Sequence, residues 1–220
     1  MTTISEVVAS RGIEEILHFT SNHGLIGCLE ERAVLSRRRL PEQKYLAHVA
    51  APTAATRQEA SEFFDKKMDW LDYVNLSISE INFRYFNVAS TKWHPEDRWW
   101  VILSFRPEIL EHEGVTFTTT NNVYEHVLRS VGVQGLDRLF QTPIARKQDW
   151  VARRGARASN LATCEQAEVL YPCSVSLNHL QRIYVRNDVD YDIVRGWVNY
   201  YGLPSIEVLI SPQKFIGQQN

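Results

Sequence analysis

Cysteine is scarce in this 220-residue chain, and its three cysteines do not group. Cys28, Cys164 and Cys173 form no C-x-x-C pair and no Cys/His spacing of a zinc site. An odd, sparse set of thiols fits a reducing cytosol, where such residues act as small buried hydrophobes. No apolar run approaches the roughly 18 residues that a membrane helix needs. Met1 to Ile16 also lacks the basic-flanked apolar core of a secretory leader. A cytoplasmic location with no membrane partner is therefore expected. The chain has neither G-x-G-x-x-G nor G-x-x-x-x-G-K-[ST], which argues against a Rossmann dinucleotide domain and a P-loop enzyme. Internal repeats and low-complexity blocks are absent. There is also no surplus of positive charge. With 24 Lys and Arg against 26 Asp and Glu, the net charge is -2, so any contact with nucleic acid must rest on local basic groups.

What is present suits a globular domain. Hydrophobic residues make up 44% of the chain and charged residues 23%, enough apolar content for a core. The length fits one domain over residues 1–220. Ser5 to Ile16 reads as a short helix or turn, leading into a strand at Leu17 to Thr20. Leu25, Ile26 and Leu29 set a helix over Asn22 to Glu31, with a basic exit through Arg32 to Arg39. Pro41 to Met68 is polar and broken by Pro41 and Pro52, and reads as a long loop with helical turns. Strands follow at Tyr73 to Ile78, Trp99 to Phe105 and Val115 to Thr119. Asn122 to Leu139 reads as one or two short helices broken near Gly132 and Gly135. A basic loop, Trp150 to Ala162, precedes strands at Gln166 to Tyr171 and Ile183 to Val185. A helix over Asp190 to Tyr201, stopped by Gly202 and Pro204, and a strand at Glu207 to Ile210 close the chain. Strands and helices do not alternate regularly. The expected fold is α+β, with a split, mainly antiparallel central sheet and flanking helices.

Four polar or charged features carry possible chemistry. Glu168 sits inside an apolar strand, Ala-Glu-Val-Leu-Tyr, directly after the basic loop. A strand carboxylate is more often a solvated outward residue, but the basic approach raises the weight of a functional reading. His18 and Thr20 are two residues apart, so strand alternation puts them on one face. Together they could hold a planar amide, although a lone strand histidine is more often structural. The basic loop carries Arg153, Arg154 and Arg157 beside Trp150, and Arg37, Arg38 and Arg39 form a second basic group. Arginines interleaved with an aromatic residue suit a single strand, through phosphate contact and base stacking.

Three segments in order make the pattern specific: His18-Phe19-Thr20 with the helix that follows, Asp72-Tyr73-Val74, and Gln166-Ala167-Glu168-Val169-Leu170. Over roughly Ile16 to Val185 the chain resembles the DarT family of toxin ADP-ribosyltransferases. That resemblance implies NAD+ as co-substrate, no metal, and Glu168 as catalytic residue. It also implies cofactor contacts from His18, Phe19, Thr20, Gly27 and Leu35. An arginine after the D-Y-V strand contacts NAD+ and takes part in catalysis in that family. Arg84 matches by distance, with Arg57 in the long loop as the fallback. The implied acceptor is a base in single-stranded DNA, thymine or guanine. Asp72 to Ile81 and Asn121-Asn122 look more like the guanine-modifying branch. The acceptor side falls to Trp150, Arg153, Arg154 and Arg157. A toxin–antitoxin or phage-defence role follows, with an ADP-ribosyl hydrolase as antitoxin partner. The alternatives are a transferase acting on RNA or protein, and a nucleic-acid-binding module without catalysis.

Overall fold

The structure, a computed structural model, describes residues 2–40, 70–92, 97–147 and 149–217. In chain order its elements are α1 (Ile4–Arg11), β1 (Ile16–Ser21), α2 (Asn22–Glu31), β2 (Ala33–Leu35), β3 (Tyr73–Ile78), α3 (Phe83–Lys92), β4 (Trp100–Phe105), β5 (Thr116–Thr118), β6 (Arg129–Val131), α4 (Gly132–Arg138), β7 (Ile144–Ala145), β8 (Val151–Ala152), β9 (Glu168–Pro172), β10 (Ser174–Ser176), β11 (Leu180–Val185), α5 (Asp188–Tyr200) and β12 (Glu207–Ile210). Eight strands make one sheet in the order β12-β11-β4-β1-β3-β9-β5-β6. Its pairings are antiparallel except for β11 with β12. The α+β reading with a mainly antiparallel sheet therefore holds.

β4 shows why this sheet sits at the centre. Its six residues, Trp-Val-Ile-Leu-Ser-Phe, are all buried, because both faces are covered. Val101, Leu103 and Phe105 join the main core with Ile16, Leu25, Leu29, Val169 and Val194. Trp100 and Ile102 point the other way, into a cluster with Leu17, Phe86, Ala89, Tyr184 and Phe215. Alternation along one strand thus feeds two cores. The face holding Phe86 is covered by α3, a helix absent from the sequence reading. Half of its residues, Phe83, Tyr85, Phe86, Val88 and Thr91, are β-branched or aromatic. Local preference therefore speaks weakly for a helix, and packing decides. Asn82 starts it, its side-chain oxygen accepting from the Tyr85 N–H at 3.1 Å.

Two further differences concern the segment around Gly132. Gly132, at φ +65°, opens α4 and does not break it. Gly135 lies inside α4, where a Cβ would come within 2.5 Å of the Ser130 carbonyl. The segment before α4 contributes the edge strand β6 in place of a helix. The expected loop over Pro41 to Met68 lies outside the described residues.

The sheet opens where the site lies. β1 pairs with β4 along all six residues, but with β3 only at Ile16↔Ile78 and Leu17↔Ser77. Past Leu17 the ladder to β3 stops. There the ring of His18 takes over, with its Nδ1 2.9 Å from the carbonyl oxygen of Asn75 on β3.

Candidate active site

The gap between β1 and β3 widens into a cavity of about 360 Å³. β1 supplies His18, Phe19 and Thr20 to its wall, α2 supplies Gly24 and Gly27, and β2 supplies Leu35. β3 adds Asn75, and Glu168 of β9 reaches it from beyond β3. Every residue that the sequence reading gave to cofactor contact on β1, α2 and β2 therefore borders one space.

Glu168 is 7% exposed and held at both oxygens. The side-chain NH2 of Asn75 donates to Oε1 at 3.2 Å, and the backbone N–H of Asn122 donates to Oε2 at 2.8 Å. Its backbone is fixed as well, because Glu168 pairs with Thr118 and its carbonyl accepts from the Thr118 hydroxyl at 3.2 Å. Burial pushes the carboxyl up from 4.5 to about 7, opposed by the two hydrogen bonds and by the nearby charge of Arg129. Such a group is poised between its two protonation states near neutral pH.

His18 is driven the other way. Burial lowers it below 6.5, against the contact with Asn75. A neutral ring that bonds a carbonyl oxygen must carry its proton on Nδ1, which leaves a lone pair on Nε2. Thr20 explains a glycine beside it. A Cβ at Gly24 would lie 2.1 Å from the Thr20 hydroxyl oxygen, so a side chain in the first turn of α2 would force Thr20 out of its present rotamer. Cys28 also lines the cavity, and burial pushes its thiol up to about 12, so it is inert as a nucleophile.

The Asp72 of the D-Y-V segment serves a structural end. Its carboxylate accepts from Arg39 at 2.8 and 3.2 Å and from the Ser36 hydroxyl at 2.7 Å. This fork fastens the basic turn Arg37–Arg39 onto the start of β3, and Arg37 borders the cavity. The Arg39 partner also holds Asp72 below the usual carboxylate range.

The remaining assigned residues lie elsewhere. Arg84, on α3, does not line the cavity; its guanidinium pairs with Glu165, which also takes Arg146 at 3.1 Å. Arg84 sits 5.7 Å from the ring centre of Trp150, which is 60% exposed. Arg57 is outside the described residues. In the basic loop, Arg153 is exposed, whereas Arg154 and Arg157 turn inward. Arg154 donates to the carbonyls of Leu161 and Ala158 at 2.9 and 2.6 Å. Arg157 donates to the Ala162 carbonyl at 2.8 Å and pairs with Glu80. Both guanidinium groups brace the loop.

Three site residues escaped the sequence reading. Asn75 lies next to a quoted motif but had no role. Asn122 was noticed only for its likeness to one branch. Arg129 sits in no motif, and only the pairing of β5 with β6 brings it near Glu168.

A carboxylate held at a cavity where an antiparallel sheet splits suits the transfer of a sugar from a nucleotide. The class that the fold and this site define is the ADP-ribosyltransferases. Within that class the chain belongs to the DarT family, because the family model described as "ssDNA thymidine ADP-ribosyltransferase, DarT" matches residues 17–216. No curated protein matches the chain. Among solved structures, the DarT of Thermus sp. 2.9 in complex with ADP-ribosylated ssDNA is 14% identical, with a TM-score of 0.62 over 92% of this chain and 96% of that one. The same Thermus protein in complex with NAD+ gives 14% identity, a TM-score of 0.61, and coverage of 91% and 96%. The Thermosipho africanus DarTG in complex with ADP-ribose is 14% identical with a TM-score of 0.62. This chain covers only 51% of its length, against 92% of its own.

No described helix is long and apolar enough to cross a membrane.

Proposed function

We propose that this protein, as one domain over residues 1–220, transfers ADP-ribose from NAD+ to a base in single-stranded DNA and releases nicotinamide. One observation carries the reading: Glu168 is buried, held at both oxygens, and borders the cavity that His18 and Thr20 also line. The cavity suits the co-substrate. Its volume falls within the range of ligand sites. Trp70, Asn82 and Trp100, residues of its wall, each carry a buried side-chain N–H with no acceptor among the described residues.

In the reaction the bond from ribose C1′ to the nicotinamide nitrogen breaks, and nicotinamide leaves with the electron pair. Positive charge develops on the ribose, as in glycoside cleavage. The ionised Glu168 carboxylate stabilises that charge, and its fixed orientation avoids reorganisation during the step. His18 can accept a hydrogen bond from a substrate hydroxyl at Nε2 and so orient the substrate. A base nitrogen then bonds to C1′ and gives up its proton, which Glu168 can take. Arg84 and Trp150 lie together outside the cavity and belong to the acceptor side of this reading, with exposed Arg153 contacting phosphate. Arg154 and Arg157 act there by shaping the loop. Thymine is the acceptor that the family description favours, in place of the guanine suggested by Asp72 to Ile81 and Asn121-Asn122. A cytoplasmic toxin of a toxin–antitoxin or phage-defence system, opposed by an ADP-ribosyl hydrolase, completes the reading. It needs no metal.

Incubating the protein with labelled NAD+ and short single strands that differ in base content tests it. Label should enter thymine-containing DNA and be lost in Glu168→Gln. Label on RNA or protein instead would move the acceptor. DNA binding with no nicotinamide release would leave a binding module.

A further inference from the structure

The carboxylate of Glu168 depends on a residue that no motif contains. Arg129, on the edge strand β6, directs two donors of its guanidinium at Asn122. Its Nε donates to the Asn122 side-chain oxygen at 2.7 Å, and its Nη2 donates to the Asn122 carbonyl at 2.6 Å. Two charge-assisted bonds on one residue fix that residue in position and rotation. The same Asn122 uses its backbone N–H, at 2.8 Å, to hold Glu168 Oε2. The turn around it is reinforced by Asn121, whose side chain accepts from the Val123 N–H at 3.1 Å. Arg129 also lies 5.2 Å from the ring centre of Trp70, a residue of the cavity wall. One guanidinium therefore sets both the donor to the carboxylate and a wall of the space in front of it.

We infer that Arg129 is a positioning residue for the transfer reaction, acting through Asn122 to fix the orientation of the Glu168 carboxylate without touching substrate. The inference rests on the proposed function and adds a residue to its machinery. Glu168 is met by Asn75 on β3, by Thr118 on β5, by Asn122 after β5 and by Arg129 on β6. Arg129 is the cation in that set. His18, across the gap on β1, is kept neutral by burial. Loosening Arg129 thus removes both the geometric anchor and the local positive charge, and each loss favours the protonated acid.

The test uses two variants and two readouts on the full chain. Arg129→Lys keeps a charge but cannot bond Asn122 at two points. Asn122→Ala keeps the backbone donor but loses the side-chain anchor. In each, kcat for nicotinamide release should fall about 100-fold, the scale of a displaced catalytic group. KM for NAD+ should change less than about threefold, since binding by the rest of the cavity persists. Independently of activity, carboxyl-carbon NMR on the ligand-free protein, with the Glu168 signal identified by its loss in Glu168→Gln, should show its midpoint moved to higher pH in both variants. If Arg129→Lys fails to fold by near-UV circular dichroism, Asn122→Ala decides. A wild-type kcat, or an unmoved Glu168 midpoint, in a folded Asn122→Ala protein overturns the inference. A moved midpoint in a protein whose wild type releases no nicotinamide would overturn the proposed function, and the catalytic role of Arg129 with it.

Discussion

Replacing Glu168 with glutamine should stabilise this protein at neutral pH and disable it at the same time. The carboxyl is buried, and burial moves it from 4.5 to about 7. A group raised in the folded state binds its proton more tightly there than in the unfolded chain. Its contribution to stability is therefore fully present below about pH 4.5 and is lost as pH rises through about 7. A displacement of that size amounts to about 3 kcal/mol, at roughly 1.4 kcal/mol per pH unit. Glutamine has no such titration, yet its side-chain oxygen can still accept from the Asn122 N–H. The stability of Glu168→Gln minus that of the wild type should thus rise by up to about 3 kcal/mol between pH 4.5 and 8. Urea denaturation at five or six pH values measures it, and the difference cancels groups common to both proteins. The kinetic counterpart is a kcat that climbs through pH 7 as Glu168 ionises. A stability difference that stays flat with pH would show that the carboxylate is well solvated, and the argument from burial would fail.

Other expectations follow from particular contacts. Gly24→Ala should weaken NAD+ affinity by at least about tenfold by calorimetry, a cost of about 1.4 kcal/mol, because the new methyl meets the Thr20 hydroxyl. Arg84→Ala should leave that affinity within twofold, since Arg84 pairs with Glu165 away from the cavity; a loss confined to Arg57→Ala would give the cofactor role to the long loop. Arg157→Ala should lower stability by about 3 kcal/mol, as its side chain is 6% exposed against Glu80, and a normal denaturation midpoint would contradict this. Arg153→Ala should make the log–log salt dependence of single-strand binding shallower by roughly 0.7.

How legible the site was depended on where each residue stands in the chain. Glu168, His18 and Thr20 lie on strands whose alternation and neighbours can be read locally, and the order of their segments carried the family resemblance. The strands of the sheet were legible for the same reason: runs such as Trp100–Phe105 leave little choice of conformation. The helix α3 was not, because its aromatic and β-branched residues oppose a helix until Phe86 has a sheet face to cover. Charge was the least legible property. Arg153, Arg154 and Arg157 look equivalent in sequence, yet the last two satisfy carbonyls of their own loop.

By itself, then, the amino-acid order determined the α+β class, the strand that carries Glu168 and the face shared by His18 and Thr20. Those properties are set by period-two patterning and by residues close in the chain. Only the tertiary structure decided what surrounds the carboxylate. Asn75 is 93 residues from Glu168 and Asn122 is 46. Arg129 enters because β6 pairs with β5, and β5 with β9. Strand register brings such partners together, and register follows from the whole sheet burying its apolar faces at once, which no local stretch of sequence specifies.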